Sequence, residues 1–175
     1  MTKAIEWNPI SRPASAAAAT GAVVFAAYVG INNNQFLFLD YINLAFHEFG
    51  HLFFGVAGGF IGLLGGTLAQ VLIPIGLALV FVARREIPGT GFCLLWTGES
   101  LINVSVYVAD AREMGLPLVG GGLHDWNVLL GRFHLLEYDT ILAAIVKALG
   151  WTIITVVAVS LIYTAIRIFQ EPQPR

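Results

Sequence analysis

Apolar residues fall into five long runs along the chain, separated by short polar or glycine-containing joints. The runs cover residues 14–31, 36–57, 60–83, 91–109 and 138–168. Each is close to the ~20 residues that an α-helix needs to cross the hydrocarbon core of a bilayer. Because backbone polar groups in lipid must be satisfied within the segment, the pattern predicts an all-α, polytopic membrane helix bundle of about five transmembrane helices.

A further segment, "LHDWNVLLGRFHLLEYD" at residues 123–139, is too short and too polar to span a membrane. It is expected to form a partial or re-entrant helix, which is tolerated only where protein or a water-filled cavity surrounds it. The glycine-rich stretch "GGFIGLLGG" at residues 58–66 predicts a close approach of two backbones, since small residues remove the steric barrier.

The ends of the chain are more polar than its middle. Residues 1–13 are predicted to form an interfacial N-terminal arm with Trp7 as a membrane anchor, residues 14–169 a single transmembrane domain, and residues 170–175 a polar C-terminal tail. The first apolar run resembles the core of a signal peptide, but no small-residue cleavage site follows it. It is therefore expected to stay in the protein as the first membrane helix.

Composition supports a membrane protein and excludes several other classes. Of the 175 residues, 57% are hydrophobic and 11% are charged, whereas soluble domains carry about 25% charged residues. The expected partner is therefore the lipid bilayer. The net charge of −2 and the absence of a basic stripe exclude a nucleic-acid-binding surface. With Cys93 as the single cysteine, neither an internal disulfide nor a cysteine-based zinc site can form, so any metal must be bound by His, Asp or Glu.

The basic residues do not select an orientation if five helices span the membrane. One side would then carry Lys3, Arg12, Arg112 and Arg132, and the other Arg84, Arg85, Arg167 and Arg175. Because cytoplasmic loops normally carry the excess of Lys and Arg, this even division favours neither orientation.

One face of the second apolar run is polar. At ~100° per residue its members are Asp40, Asn43, His47 and His51, with Glu48 beside them. Ionisable groups at membrane depth are costly and usually face the interior of the bundle, where they pair or line a functional cavity.

The fourth apolar run has a matching polar face, formed by Glu99, Asn103 and Asp110. The two faces are predicted to meet and to enclose a buried polar chamber. In the alternative interpretation, these side chains form interhelical hydrogen bonds that only hold the bundle together.

The "HEFGH" sequence has the spacing of a metal-binding motif. His47 and His51 are four residues apart, so on a helix both imidazoles point the same way and can occupy two positions on one metal ion. Glu48 is then placed to accept a proton from water that the metal activates. The alternative is a pair of buried histidines that are hydrogen-bonded to polar neighbours.

A zinc ion needs at least a third protein ligand and an open position. The sequence offers His124 and Asp125, side by side where the short helix is predicted to begin. Asp125 could instead cap that helix with its carboxylate. His124 could bind the metal in its place, or could donate a hydrogen bond to a ligand.

These residues resemble the site-2-protease family of intramembrane zinc metalloproteases, in which an H-E-x-G-H motif in a membrane helix is followed much later by an Asp at the start of another helix. The chain is similar to small bacterial members without a PDZ-like domain. The resemblance implies a zinc ion bound by His47, His51 and an aspartate, with Glu48 as general base. It also implies a transmembrane-helix protein as substrate and the bacterial inner (plasma) membrane as location.

The family usually carries its third ligand in an L-D-G or N-P-D-G sequence, which this chain lacks. "LHDWNVLL" is the nearest equivalent and places Asp125 on that ligand by position. Hydrolysis of a peptide bond at such a zinc ion would also need a group that stabilises the oxyanion formed on the substrate carbonyl. The candidates are Asn103 and an amide of the glycine-rich turn.

Three other functions are compatible with parts of the sequence. A b-type haem could be bound between His47 or His51 and His124 or His134. A di-iron carboxylate oxidase would use the Glu-x-x-His within the motif, although the chain has no second one. A non-catalytic scaffold or regulatory protein could retain a protease-like fold and bind partner helices.

Overall fold

The computed structural model describes residues 6–32, 35–119 and 123–172, which are helical or irregular and contain no strand. The helices are α1 (Arg12–Ile31), α2 (Phe38–Gly55), α3 (Gly59–Ala83), α4 (Ile87–Ala109), α5 (Asp125–Arg132) and α6 (Asp139–Gln170). A single 3-10 turn, Leu136–Tyr138, joins α5 to α6. The all-α prediction is confirmed, and the partial helix lies within the segment predicted for it.

Four helices, α1, α3, α4 and α6, are long and apolar enough to cross a membrane by length and composition. They identify the chain as an integral membrane protein. The 18-residue α2, which carries the "HEFGH" sequence, is not among the candidate spans of the described residues. The predicted number of about five spans is therefore not confirmed, and the bacterial inner membrane stays a prediction.

Two helices begin earlier than their apolar runs because proline is accepted in a first helical turn. α1 begins at Arg12 with Pro13 in its first turn, inside the predicted arm of residues 1–13. α4 begins at Ile87 with Pro88 in its first turn, rather than at 91. The proline N–H is missing where no intrahelical acceptor exists, so the helix loses no hydrogen bond.

The contacts between helices show the direction in which each one runs. α4 and α6 are antiparallel, since Gly91 faces Leu161 while Gly98 faces Gly150. α3 and α4 are also antiparallel, because Gln70 in α3 donates a hydrogen bond to Asn103 in α4, whereas Phe81 lies against Gly89.

α1 is antiparallel to α6 in the same way. The guanidinium of Arg12 donates hydrogen bonds to the carbonyls of Ile168 and Phe169, whereas Gly30 lies against Trp151. The four long helices therefore alternate in direction in the chain order α1, α3, α4, α6, as four successive membrane crossings require.

α2 does not alternate with α1. Its Asn43 contacts Glu99 near the middle of α4, and its His47 ring lies 5.8 Å from that of Tyr107, close to the end of α4. α2 therefore runs parallel to α4, in the same direction as α1. Leu37, just before α2, shares a core cluster with Val29 near the end of α1. The predicted second span of residues 36–57 is thus a shorter helix that begins partway along the bundle.

The two ends of the bundle differ in the elements they contain. At one end lie the start of α1 and the end of α6, together with the α3–α4 turn, since Asn8 donates hydrogen bonds to the carbonyls of Arg84 and Arg85. We call this the Arg12 end. The opposite end contains α5, the end of α4 and the start of α6, and we call it the α5 end.

α2 and α3 pack with their backbones in contact. A Cβ added at Gly50 would collide with the Gly65 carbonyl oxygen, and one added at Gly66 would lie 2.6 Å from the His47 ring. The turn between α2 and α3 contains Gly58 at φ 112°, a conformation that favours glycine. The close backbone approach predicted for the glycine-rich stretch is confirmed, and it places α3 in contact with the "HEFGH" segment of α2.

Candidate metal centre

Two histidines and one aspartate converge where α2 meets the start of α5. The Nε2 atoms of His47 and His51 lie 3.0 and 3.1 Å from the same carboxylate oxygen, Oδ2 of Asp125. All three residues could bind one metal ion, since their ligand atoms lie within 4.8 Å of one another. The i, i+4 spacing on α2 aligns the two rings, and α5 supplies the carboxylate from 74 residues further along the chain than His51.

The far side of each imidazole is fixed by a hydrogen bond. His51 Nδ1 lies 2.8 Å from the carbonyl oxygen of Gly62. Because a carbonyl oxygen can only accept, this nitrogen carries the proton. His47 Nδ1 lies 3.3 Å from Oε1 of Gln70, whose amide nitrogen donates to Asn103 over 2.7 Å. His47 Nδ1–H therefore donates to Gln70. The Nε2 atoms of both rings lie on the side of Asp125.

With both imidazoles neutral, this arrangement brings together three groups that can only accept hydrogen bonds. Two neutral imidazole nitrogens and a carboxylate oxygen repel one another at 3.0–3.1 Å unless a cation lies among them. The cation can be a metal ion or the proton of an imidazolium. In a tetrahedral site with bonds of 2.0–2.1 Å, neighbouring ligand atoms lie about 3.3 Å apart. The two His–Asp125 distances therefore match a zinc-sized ion after an expansion of a few tenths of an ångström.

Asp125 is the first residue of α5, but it does not cap that helix. The N-cap is His124, whose Nδ1 accepts a hydrogen bond from the Asn127 amide over 3.2 Å. The alternative in which the Asp125 carboxylate serves as the cap is wrong, because that carboxylate faces the two histidines instead. Its backbone N–H donates to the hydroxyl of Tyr107 over 3.1 Å, which fixes the start of α5 against α4.

His124 is buried but turned away from this group. With its Nδ1 used as the cap, its Nε2–H donates to Asp110 Oδ2 over 3.2 Å. Both ring nitrogens are thus occupied, and the structure does not bring His124 together with His47 and His51. His134, the other histidine of the haem alternative, is exposed at the end of α5.

Asp110 lies beyond the last residue of α4 and belongs to the α4–α5 connection. Besides its contact with His124, its carboxylate accepts hydrogen bonds from the amides of Gly115 and Leu116. The prediction that it shares one polar chamber with Glu99 and Asn103 is not supported. Helix α4 ends at Ala109, so the helical periodicity no longer governs where Asp110 points.

The remaining polar residues of α2 and α4 meet around Asn43, as predicted for the two polar faces. The Asn43 amide donates to Glu99 over 2.8 Å and to Asp40 over 3.2 Å. Its carbonyl oxygen accepts from the Trp96 indole and the Ser100 hydroxyl. Asp40 also accepts from the amide at the start of α2. These bonds attach α2 to α4, which matches the interhelical alternative for these residues.

Glu48 projects beside the convergent group without belonging to it. It lines two cavities, of about 290 and about 210 Å³, and both also contain His47 and Tyr107. Within the described part of the chain its carboxylate has no hydrogen-bond partner. Glu48 is therefore free to exchange a proton with a molecule in either cavity.

Sequence reasoning missed two groups that surround the histidines: Gln70 and the Gly62 carbonyl. Gln70 is 3% exposed in the middle of α3. It is a lone amide in a long apolar run, and the cost of a polar group at membrane depth was a signal that could have identified it. A backbone carbonyl such as that of Gly62 has no sequence signature.

The fold and this group of residues define a helical membrane protein with two histidines and one aspartate converging in its interior. No protein-family model, no curated protein and no solved structure matches this chain.

Replacing Gln70 by leucine is expected to weaken metal binding by about 10–100-fold, because His47 loses the acceptor that fixes its tautomer and ring orientation. The measurement is zinc affinity by competition with a chromogenic chelator in detergent. Gln70→Glu is the matched control, since it retains an acceptor oxygen and should lose less affinity. Equal affinity in Gln70→Leu and wild type would exclude this orienting role.

Proposed function

We propose that the chain is a zinc-dependent membrane peptidase of the site-2-protease type, which hydrolyses a peptide bond within or beside a transmembrane segment. The observation that carries the proposal is the convergence of the Nε2 atoms of His47 and His51 on one carboxylate oxygen of Asp125, at 3.0 and 3.1 Å.

The proposed ligands are His47, His51 and Asp125, and His124 is no longer proposed as one. Their three positions leave a fourth open on a tetrahedral ion, as catalytic zinc sites require. When bound, zinc would act as a Lewis acid and lower the pKa of a coordinated water toward ~7.

The role of Glu48 follows from its position. Its carboxylate reaches the cavity in front of the ligand group but is not itself part of that group. We assign it the removal of a proton from the attacking water and the transfer of that proton to the leaving amine.

Tyr107 is a further candidate for contact with the substrate. Its hydroxyl accepts from the Asp125 amide and lies 3.5 Å from Asp125 Oδ2, in the same cavity as Glu48. A phenol there can donate to a carbonyl oxygen that gains negative charge. Asn103 accepts a hydrogen bond from Gln70 through its Oδ1, and its amide nitrogen stays a second candidate donor for the same task, in the cavity it shares with Glu48 and Tyr107.

Removal of the metal tests the proposal directly. The protein is purified in detergent and incubated with a panel of synthetic transmembrane peptides, and products are identified by mass spectrometry. Cleavage is expected to fall to background after treatment with a zinc chelator and to return on addition of about one equivalent of zinc per chain. Cleavage at an unchanged rate by the metal-free protein would contradict the proposal. Magnesium addition is the control, because a hard cation that prefers oxygen ligands should not restore activity.

A further inference from the structure

We infer that the candidate metal centre opens toward the non-cytoplasmic side of the membrane and acts on polypeptide segments near that boundary. The statement about substrates rests on the proposed function. The statement about sidedness rests on helix direction, on the distribution of basic residues and on the depth of the site.

Four helices of the bundle cross the membrane in this topology. Four alternating helices place the start of α1 and the end of α6 at the same end of the bundle, and the Arg12 hydrogen bonds to the carbonyls of Ile168 and Phe169 join the two directly. Because α2 runs in the same direction as α1, it adds no crossing. The α3–α4 turn is therefore on the side of the chain ends, and the α4–α5 connection is on the opposite side.

With four spans the basic residues are distributed unequally between the two sides of the membrane, whereas five spans would divide them equally. The described arginines at the Arg12 end are Arg12, Arg84, Arg85 and Arg167. Those at the α5 end are Arg112 and Arg132. Lys147 lies inside α6, about two turns from the start of that helix at the α5 end, and Lys3 and Arg175 lie outside the described residues. Cytoplasmic loops carry the excess of Lys and Arg, so the Arg12 end is cytoplasmic.

The two arginines at the α5 end are both engaged with the bundle. Arg112 forms an ion pair with Asp139 at the start of α6, over 2.7 Å. The Arg132 guanidinium lies 5.1 Å from the centre of the Phe60 ring at the start of α3. These contacts confirm that both arginines lie at one end, next to the beginnings of α3 and α6.

The metal centre belongs to the α5 end. His47 packs against Tyr107, two residues before the end of α4, and Asp125 is the first residue of α5. The cavity in front of the ligands is lined on its other side by Leu118, Val119 and Leu123 of the α4–α5 connection. Water and substrate therefore reach the site from the α5 end, which is the non-cytoplasmic side.

The neighbouring cavity of about 210 Å³ indicates what kind of segment fits. It extends from Glu48 toward the α1–α2 junction, and its walls include Leu44, Ile102 and Val106. An apolar side chain next to the cleaved bond would be accommodated there, and water would be excluded from it. The substrate class is thus an apolar polypeptide segment that enters or leaves the membrane on the non-cytoplasmic side.

The test is accessibility to a membrane-impermeant maleimide in intact and permeabilised cells. Cys93 is buried and is replaced by serine, and single cysteines are introduced as Glu113→Cys in the α4–α5 connection and Glu6→Cys before α1, both at exposed positions. We expect Glu113→Cys to be labelled in intact cells and Glu6→Cys only after permeabilisation. Labelling of both positions on the same side, as five spans would give, or the reverse pattern, would overturn the inference.

A second arm locates the metal itself. EDTA, which does not cross membranes, is added to sealed right-side-out and inverted vesicles. Zinc is expected to be stripped from the right-side-out vesicles only, and stripping from inverted vesicles alone would overturn the inference. If neither preparation contains zinc, the proposed function fails, whereas the maleimide result still decides the sidedness.

Discussion

Replacing Asp125 by alanine is expected to reduce the zinc content of the purified protein from about one ion per chain to background. Two histidines cannot retain the ion alone, because zinc sites in proteins need at least three protein ligands. The same loss is expected for His47→Ala, since its Nε2 lies 3.0 Å from the Asp125 oxygen. The measurement is elemental analysis of detergent-purified protein after extensive dialysis.

His124→Ala is the matched control for Asp125→Ala. It removes the adjacent side chain and the N-cap of α5, at a cost of about 1 kcal/mol in stability, but it removes no atom of the proposed site. It should therefore retain zinc at the level of the wild type. Loss of zinc in His124→Ala but not in Asp125→Ala would reverse the assignment of the third ligand. A wild type with no more zinc than the variants would favour the non-catalytic scaffold.

Glu48→Gln is expected to retain zinc and to lower the hydrolysis rate by about 10²–10⁴-fold. Glutamine has nearly the shape of glutamate but cannot accept a proton at neutral pH, so the change removes the general base while the cavity keeps its form. The measurement is the rate of peptide cleavage per bound zinc ion, on a substrate that the wild type cleaves.

Glu113→Gln serves as the control, because this exposed carboxylate lies in the α4–α5 connection and lines neither cavity. Its cleavage rate should equal that of the wild type. If Glu48→Gln, with its zinc in place, cleaves within a factor of a few of the wild-type rate, the proton must move through another group. Tyr107 would then be the next residue to replace.

The polar contacts of α2 separate into two groups with different consequences. The Asn43 group attaches α2 to α4 through bonds to Glu99 and neighbouring side chains, and needs no ligand to be satisfied. The Nε2 atoms of His47 and His51, one turn and two turns further on, converge on the Asp125 carboxylate and could hold a metal ion. A single helical face thus begins with a structural hydrogen-bond network and ends with the candidate site.

Properties that depend on local periodicity and composition could be predicted from the amino-acid sequence alone. Runs of apolar residues predicted helices of membrane length, since the backbone in lipid must bond within its own segment. The i, i+4 spacing of His47 and His51 placed both rings on one face with Glu48 beside them. The glycine-rich stretch predicted the close contact of α2 with the next helix. None of these conclusions requires knowledge of how the helices are arranged.

Assignments that depend on contacts between distant segments required the three-dimensional arrangement of the helices. His124 and Asp125 are adjacent in sequence, and both are residue types that bind zinc. In the structure the His124 ring caps α5 and faces Asp110, whereas the Asp125 carboxylate faces α2. The role of Gln70 depends on the packing of α3 under His47. The direction of α2 could not be predicted from the sequence either, because an apolar run has the same periodicity whichever way it crosses the bundle. The burial of the polar face of α2 against α4 determines this direction.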